Sequence, residues 1–251
     1  MLKKPIVKRM RVFAGPNGSG KSTIIKEIEK IVSTRPYINA DDIERTCREK
    51  KFINLSDYYI ETDNKTFSDF INSSTLYKKA LQDGYNIDLT FSDNIIKTSD
   101  TTHSYEAAII SAFIRNLLID NGISFSFETV MSHPSKLDLF RKAKEKGFVN
   151  YLYFIATEDV EINIARVAGR VILGGHPVHP DKIKERYERT LALLPQMIQY
   201  CHRCFIFDNS FEEYRLIAEI VDGKEIIGHY DDIPAWVNKY VIHKLTDDLS
   251  Q

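Results

Sequence analysis

The run Gly15-Pro16-Asn17-Gly18-Ser19-Gly20-Lys21-Ser22 constrains this chain more than any other segment. Its spacing, G-x-x-x-x-G-K-S, is that of a phosphate-binding loop. Glycines let the backbone turn tightly and aim N–H groups inward at phosphate oxygens. A helix starting at Gly20–Lys21 adds its positive end. Lys21 then reaches the β- and γ-phosphates, and the Ser22 hydroxyl is presented to Mg²⁺. The surrounding sequence suits the motif. Arg11–Gly15 reads as a short strand, and 21–31 reads as a helix with Ile24, Ile25, Ile28 and Ile31 on one face. Gly15 to Thr23 is therefore the candidate nucleotide-binding segment, for ATP or GTP.

The rest of the chain alternates strand and helix patterns. Strands are expected at 37–41, 123–128, 149–157 and 204–208. Helices are expected at 42–49, 105–120 (with Ser104 as N-cap), 134–147, 160–170 and 181–194. Such an order predicts an α/β fold, a mainly parallel sheet with helices on both faces. Residues 51–103 are polar and weakly periodic. They read as an insertion with one or two helices, one of them near 65–82, and loops around Gly84 and over 92–102. The tail, 211–251, reads as an appendage. Two apolar runs flank Asp222-Gly223, a two-residue hairpin signal, and a last helix is expected near 234–245. The whole, 1–251, is expected to be one domain.

Composition narrows the class. Lys plus Arg number 34 and Asp plus Glu 35, so the net charge is −1. That balance counts against nucleic acid as a partner, because such proteins carry a basic footprint. Only three cysteines are present, too few for a disulfide framework and suited to a reducing compartment. No apolar run is long enough to span a bilayer, and charges interrupt the N-terminus before a signal peptide could form. A cytoplasmic protein is expected.

A phosphate loop alone does not choose a reaction. Asp41 and Asp42 fall where the second strand ends, and ligands sit beyond the carboxyl ends of parallel strands. Asp41 is read as a proton acceptor and Asp42 as the cap of the next helix. Glu128 and Thr129 end the third strand and are candidate substrate contacts. Arg166 and Arg170 lie one helical turn apart, and Arg186 and Arg189 follow on the next helix. Phosphoryl transfer needs cations around the moving group. These arginines bracket Gly174-Gly175-His176, so they read as a closing lid. Cys201-His202-Arg203-Cys204 lacks the second pair that structural zinc requires. Asp208-Asn209-Ser210 either faces the nucleotide base or forms an Asx turn.

Several blocks occur in order: Phe13 through Ser22, Ile38-Asn39-Ala40-Asp41-Asp42-Ile43, Ser126-Phe127-Glu128-Thr129-Val130, Arg166 through Val171, Gly174 through Val178, Arg186-Tyr187-Glu188-Arg189 and Asp208-Asn209-Ser210. Together they resemble the zeta toxin family, and more closely its chromosomal branch described as predicted ABC-type ATPases. The resemblance covers about 10–50 and 105–210. It implies a P-loop kinase fold with five parallel strands in the order 2-3-1-4-5. It implies ATP-dependent phosphorylation of a sugar hydroxyl, as on UDP-N-acetylglucosamine. Asp41 matches the general base, Lys21 the loop lysine, and Glu128 the acid on the substrate side. Arg170 and Arg186 are similar to the phosphate-contacting arginines. A small helical antitoxin that obstructs the nucleotide site is the partner it implies. The 51–103 segment and the hairpin tail depart from compact members, and no separate ABC signature supports transport.

The leading expectation is a kinase that uses ATP and Mg²⁺, with a small-molecule acceptor such as a UDP-sugar. A polynucleotide or nucleoside kinase is one alternative. A non-catalytic, ATP-dependent binding protein, with 51–103 as its partner surface, is another.

Overall fold

The computed structural model describes residues 7–175 and 177–249. The described residues form two compact units, one within 7–34 and 126–249 and one of 35–125.

The first unit is built on a sheet. Its strands are β1 (Arg9–Ala14), β6 (Phe125–Thr129), β7 (Val149–Ala156), β8 (Arg203–Asp208), β9 (Arg215–Val221) and β10 (Glu225–Gly228). They lie in the order β10-β9-β8-β7-β1-β6. β7 pairs in parallel with both β1 and β8. A central parallel strand is covered on both faces, so it reads as a nearly continuous apolar run. Leu152, Phe154, Ile155 and Ala156 of β7 are all fully buried. This is the expected α/β fold.

Besides the helical tail, this unit holds α1 (Lys21–Glu29), α6 (Ser135–Glu145), α7 (Val160–Ile172) and α8 (Pro180–Ile198). Asp159 caps α7 by accepting the Glu161 N–H at 2.9 Å. Gly174, at φ +83°, and Gly175 turn the chain back onto the last turn of α7, where the Gly175 N–H donates to the Arg170 carbonyl. α8 runs past Leu194 with Pro195 inside it.

The tail forms the expected hairpin. Asp222 and Gly223 both take positive φ, the conformation that a tight two-residue turn demands. β9 runs antiparallel to β8, and β10 antiparallel to β9. Beyond it, 235–249 is helical, with a π-helical stretch, Asn238–Ile242, in its middle.

The second unit holds β2 (Tyr37–Ile38), α2 (Ala40–Lys50), β3 (Phe52–Asn54), α3 (Asn64–Ser73), α4 (Thr75–Gln82), β4 (Leu89–Ser92), β5 (Ile95–Thr98) and α5 (Ser104–Asp120). β3, β5 and β4 make an antiparallel sheet. The stretch 65–82, expected to hold one of the segment's one or two helices, is divided between α3 and α4. Ser74 takes an extended conformation and its Oγ accepts the Tyr77 N–H, so it ends one and caps the next. The loop expected over 92–102 contains β5, because Asp93 and Asn94 both take positive φ and turn a hairpin there. The Asn94 side chain then donates to the Ile60 carbonyl and accepts the Thr62 N–H.

Candidate nucleotide site

β1 delivers the chain to Gly15 with no room for a side chain. A Cβ on Gly15 would stand 1.9 Å from the Ile155 carbonyl oxygen of the neighbouring strand, and φ there is +151°. The Gly15 N–H donates to the Thr129 carbonyl at 3.3 Å, tying the loop to the end of β6. Gly20, at φ +90°, precedes α1, and no side chain caps that helix. Its N-terminal amides therefore face the loop as a positive end suited to an anion.

Three side chains, two on helices and one on a loop, hold this turn from outside. Asn163 of α7 is buried and donates from Nδ2 to the Asn17 carbonyl at 2.7 Å. Its Oδ1 accepts the Thr157 hydroxyl beyond β7. Asn209, just past β8, donates to the Ser19 carbonyl at 2.9 Å. Arg186 of α8 donates to Asn17 Oδ1 at 3.4 Å. The Ser19 hydroxyl is buried and makes no hydrogen bond among the described residues.

Lys21 is 7% exposed and folds back over the loop. Its ammonium donates to the carbonyls of Gly15 at 3.0 Å and Pro16 at 2.9 Å. Glu128 Oε1 lies 3.7 Å away. A buried ammonium needs such partners, since desolvation without them is costly. The cation is thus held over its own loop by two carbonyls and a nearby carboxylate.

Ser22 and Thr23 are exposed in the first turn of α1. Thr129 Oγ1 accepts the Met131 N–H at 3.0 Å, so its hydroxyl shapes the turn after β6. Arg166 donates to the Asn209 carbonyl at 2.7 Å and to the Phe211 carbonyl at 3.3 Å, which joins it to the loop after β8. Arg170 is exposed in the last turn of α7. Arg189 pairs with Glu185 at 3.2 Å. His176 lies outside the described residues.

Asp41 belongs to the second unit. It is exposed in the first turn of α2, and its N–H donates to Asn39 Oδ1 at 2.8 Å. The cap of α2 is therefore Asn39 and not Asp42, because the helix starts two residues earlier than its apolar pattern suggests. Asp42 instead pairs with Arg45 at 2.6 Å. Likewise His103, not Ser104, precedes the first turn of α5.

The thiols of Cys47, Cys201 and Cys204 are all buried. Burial pushes Cys47 up to about 11 and raises Cys201 and Cys204 as well. Among the described residues no cluster of three or more His, Cys, Asp or Glu could hold a metal, and no helix is long and apolar enough to cross a membrane.

Two features escaped sequence reasoning. Asn163 sits on the buried face of an amphipathic helix, and an amide at such a position is itself a signal. Trp236, far down the tail, donates from its indole N–H to Asp208 Oδ2 at 2.9 Å. Asp208 also accepts the Ser210 N–H and hydroxyl, each at 2.9 Å, which makes Asp208-Asn209-Ser210 an Asx turn. The tail thereby stiffens the turn that carries Asn209.

A strand, a glycine loop with a buried lysine and a helix on a parallel sheet define a P-loop α/β protein. The solved structures agree on the fold. A chain in the crystal structure of AvrRxo1-ORF1:AvrRxo1-ORF2 with sulphate ions matches 93% of this chain and 63% of its own length, at 14% identity and a TM-score of 0.51. A chain in the complex with ATP matches 96% and 64%, also at 14% identity and a TM-score of 0.51. This chain thus spans less than two thirds of either. An uncharacterized protein of Haemophilus influenzae is 41% identical over 69 residues, which are 28% of this chain and 49% of that protein. This chain therefore spans about half the length of that relative. No protein-family model matches the chain.

Proposed function

We infer that the chain is an ATP-dependent phosphotransferase acting on a small-molecule hydroxyl. The geometry of Lys21 carries the reading: a buried ammonium held over its own loop by two carbonyls, with Glu128 at 3.7 Å and the uncapped start of α1 beside it. The similar AvrRxo1 chain is one from a structure with ATP, which supports a nucleoside triphosphate as the ligand here.

In this reading the triphosphate lies in the loop, and Lys21 exchanges the Gly15 and Pro16 carbonyls for phosphate oxygens. Arg186, already on Asn17 at the loop's outer side, and Arg170 add positive charge where the transferred group carries negative charge. Catalysis then comes from positioning and charge stabilisation. The exposed Ser22 hydroxyl is an oxygen donor that fits Mg²⁺, which would be held with the phosphates. When bound, the ion neutralises charge on the β- and γ-oxygens. Asp41 is the proposed general base, and Glu128, Thr129 and Arg166 the proposed substrate side. The zeta toxin resemblance suggests a UDP-sugar acceptor, a protein antitoxin and a cytoplasmic setting.

Transfer from γ-labelled ATP with Mg²⁺ tests this, run against UDP-sugars, nucleosides and short oligonucleotides. Label on a UDP-sugar, lost in Lys21→Ala and in Asp41→Asn, supports the whole reading. Asp41→Asn is expected to keep ATP affinity while losing transfer. Unchanged turnover in that variant removes Asp41 as the base. ATP bound without transfer to any acceptor favours a nucleotide-dependent binding protein.

A further inference from the structure

Asn17 is held through both its main chain and its side chain. Its carbonyl accepts the Asn163 amide at 2.7 Å, and its Oδ1 accepts Arg186 Nη1 at 3.4 Å. The Lys21 ammonium, the group that meets β- and γ-phosphates in such loops, rests on the Gly15 and Pro16 carbonyls. Asn17 is the next residue along the loop. Its side chain therefore keeps a second cation beside the stretch of loop that Lys21 covers.

Arg186 differs from the arginines around it. Arg189 is paired with Glu185 at 3.2 Å, and Arg166 donates to two main-chain carbonyls. Among the described residues no carboxylate pairs with Arg186, and its acceptor is the neutral oxygen of Asn17. A neutral oxygen orients a guanidinium without cancelling its charge. A carboxylate in that place would cancel the charge and repel phosphate. The helix that carries Arg186 is anchored next to it. Tyr187 is buried and donates its hydroxyl to the Thr157 carbonyl at 2.5 Å. Thr190, one turn on, is buried and donates to the Val130 carbonyl at 2.9 Å. These bonds fix the backbone at Arg186 and leave its long side chain to be oriented by Asn17.

Resting on the nucleotide reading above, we propose that Asn17 is a positioning residue for Arg186. Its amide oxygen holds the guanidinium where the γ-phosphate of a bound triphosphate arrives, so little side-chain freedom is lost on binding. A diphosphate lacks the group that this cation meets. The Asn17–Arg186 pair thereby makes the site prefer a nucleoside triphosphate to the diphosphate.

Calorimetric titration of the whole chain with ADP and with the β,γ-imido analogue of ATP, both with Mg²⁺, tests this. The wild type is expected to bind the triphosphate analogue at least about tenfold tighter than ADP, the scale of one hydrogen bond to a charged group. Arg186→Met should remove that preference, and Asn17→Ala should remove most of it. The double variant should lose no more than Arg186→Met alone, because the two residues act through one contact. Asn17→Ser, whose hydroxyl is one bond too short for Arg186, replaces Asn17→Ala should that variant fail to fold. A wild type that binds both ligands alike overturns the proposal while the phosphate loop stands. So does an Asn17 variant that keeps the preference, or one that weakens both ligands equally, which would mean that Asn17 only shapes the loop. Additive losses in the double variant overturn it too. A wild type that binds neither ligand overturns the nucleotide reading, and the proposal falls with it.

Discussion

Asn209 and Ser19 are 190 residues apart in the chain, yet the Asn209 amide donates to the Ser19 carbonyl at 2.9 Å. The loop after the last parallel strand thereby holds the phosphate loop in shape. Gly20 makes the contact possible, because a Cβ there would stand 2.0 Å from Asn209 Nδ2.

Gly20→Ala should therefore be severe. The substitution meets Asn209 and also places a side chain at φ +90°. Gly84→Ala is the control, with a similar φ of +81° and open space around it. The backbone strain alone costs about 1–2 kcal/mol. Urea denaturation should show Gly84→Ala losing about that much and Gly20→Ala clearly more. Equal losses would mean that the Asn209 contact is not tight.

Lys21→Ala removes the cation from the loop. Hydrogen bonds to a charged group contribute about 1.5–3 kcal/mol, and more than one would form to a triphosphate. ATP affinity measured by calorimetry should fall at least about 100-fold. A change of less than a few-fold would show that the loop does not use Lys21 on phosphates.

Trp236→Phe keeps the ring and removes the indole donor from Asp208. The buried carboxylate loses one of the three hydrogen bonds it accepts from Ser210 and Trp236. Stability followed by circular dichroism in urea should drop by about 1.5–3 kcal/mol. ATP affinity should drop with it, because Asp208 shapes the turn that carries Asn209. A variant as stable as the wild type would show that the tail merely covers the sheet.

The thiols set an alkaline limit. Burial raises Cys47 from 9.0 to about 11 and raises Cys201 and Cys204 too. Between those values the unfolded chain has lost protons that the folded chain keeps, so stability falls as pH rises. The contribution is complete below about pH 9 and is lost through about pH 11 for Cys47. Urea midpoints should decline over that range, and Cys47→Ser should flatten the decline. At neutral pH none of the three should react with a thiol reagent until denaturant is added, and a fast-reacting thiol would contradict the burial.

The phosphate loop was legible because glycine and lysine spacing is a local code for turning a backbone around an anion. β7 was legible because a strand covered on both faces must be apolar throughout. The hairpin was legible in Asp222-Gly223, since few pairs accept positive φ twice. Helix caps were less so. Asn39 and Asp42 are both good caps, and only the backbone shows which one precedes the first turn. Asp93-Asn94 hid a hairpin among polar residues that composition assigned to a loop.

The sequence by itself determined the parallel sheet and the loop with its buried lysine, for these depend on residues close together in the chain. Only the tertiary structure decided that Asn163, Asn209 and Arg186 grip that loop, and that Trp236 anchors the turn bearing one of them. Those contacts join residues far apart in the chain, so no local spacing records them. They form because burial leaves each amide and carboxylate needing a partner, and packing decides which partner is in reach.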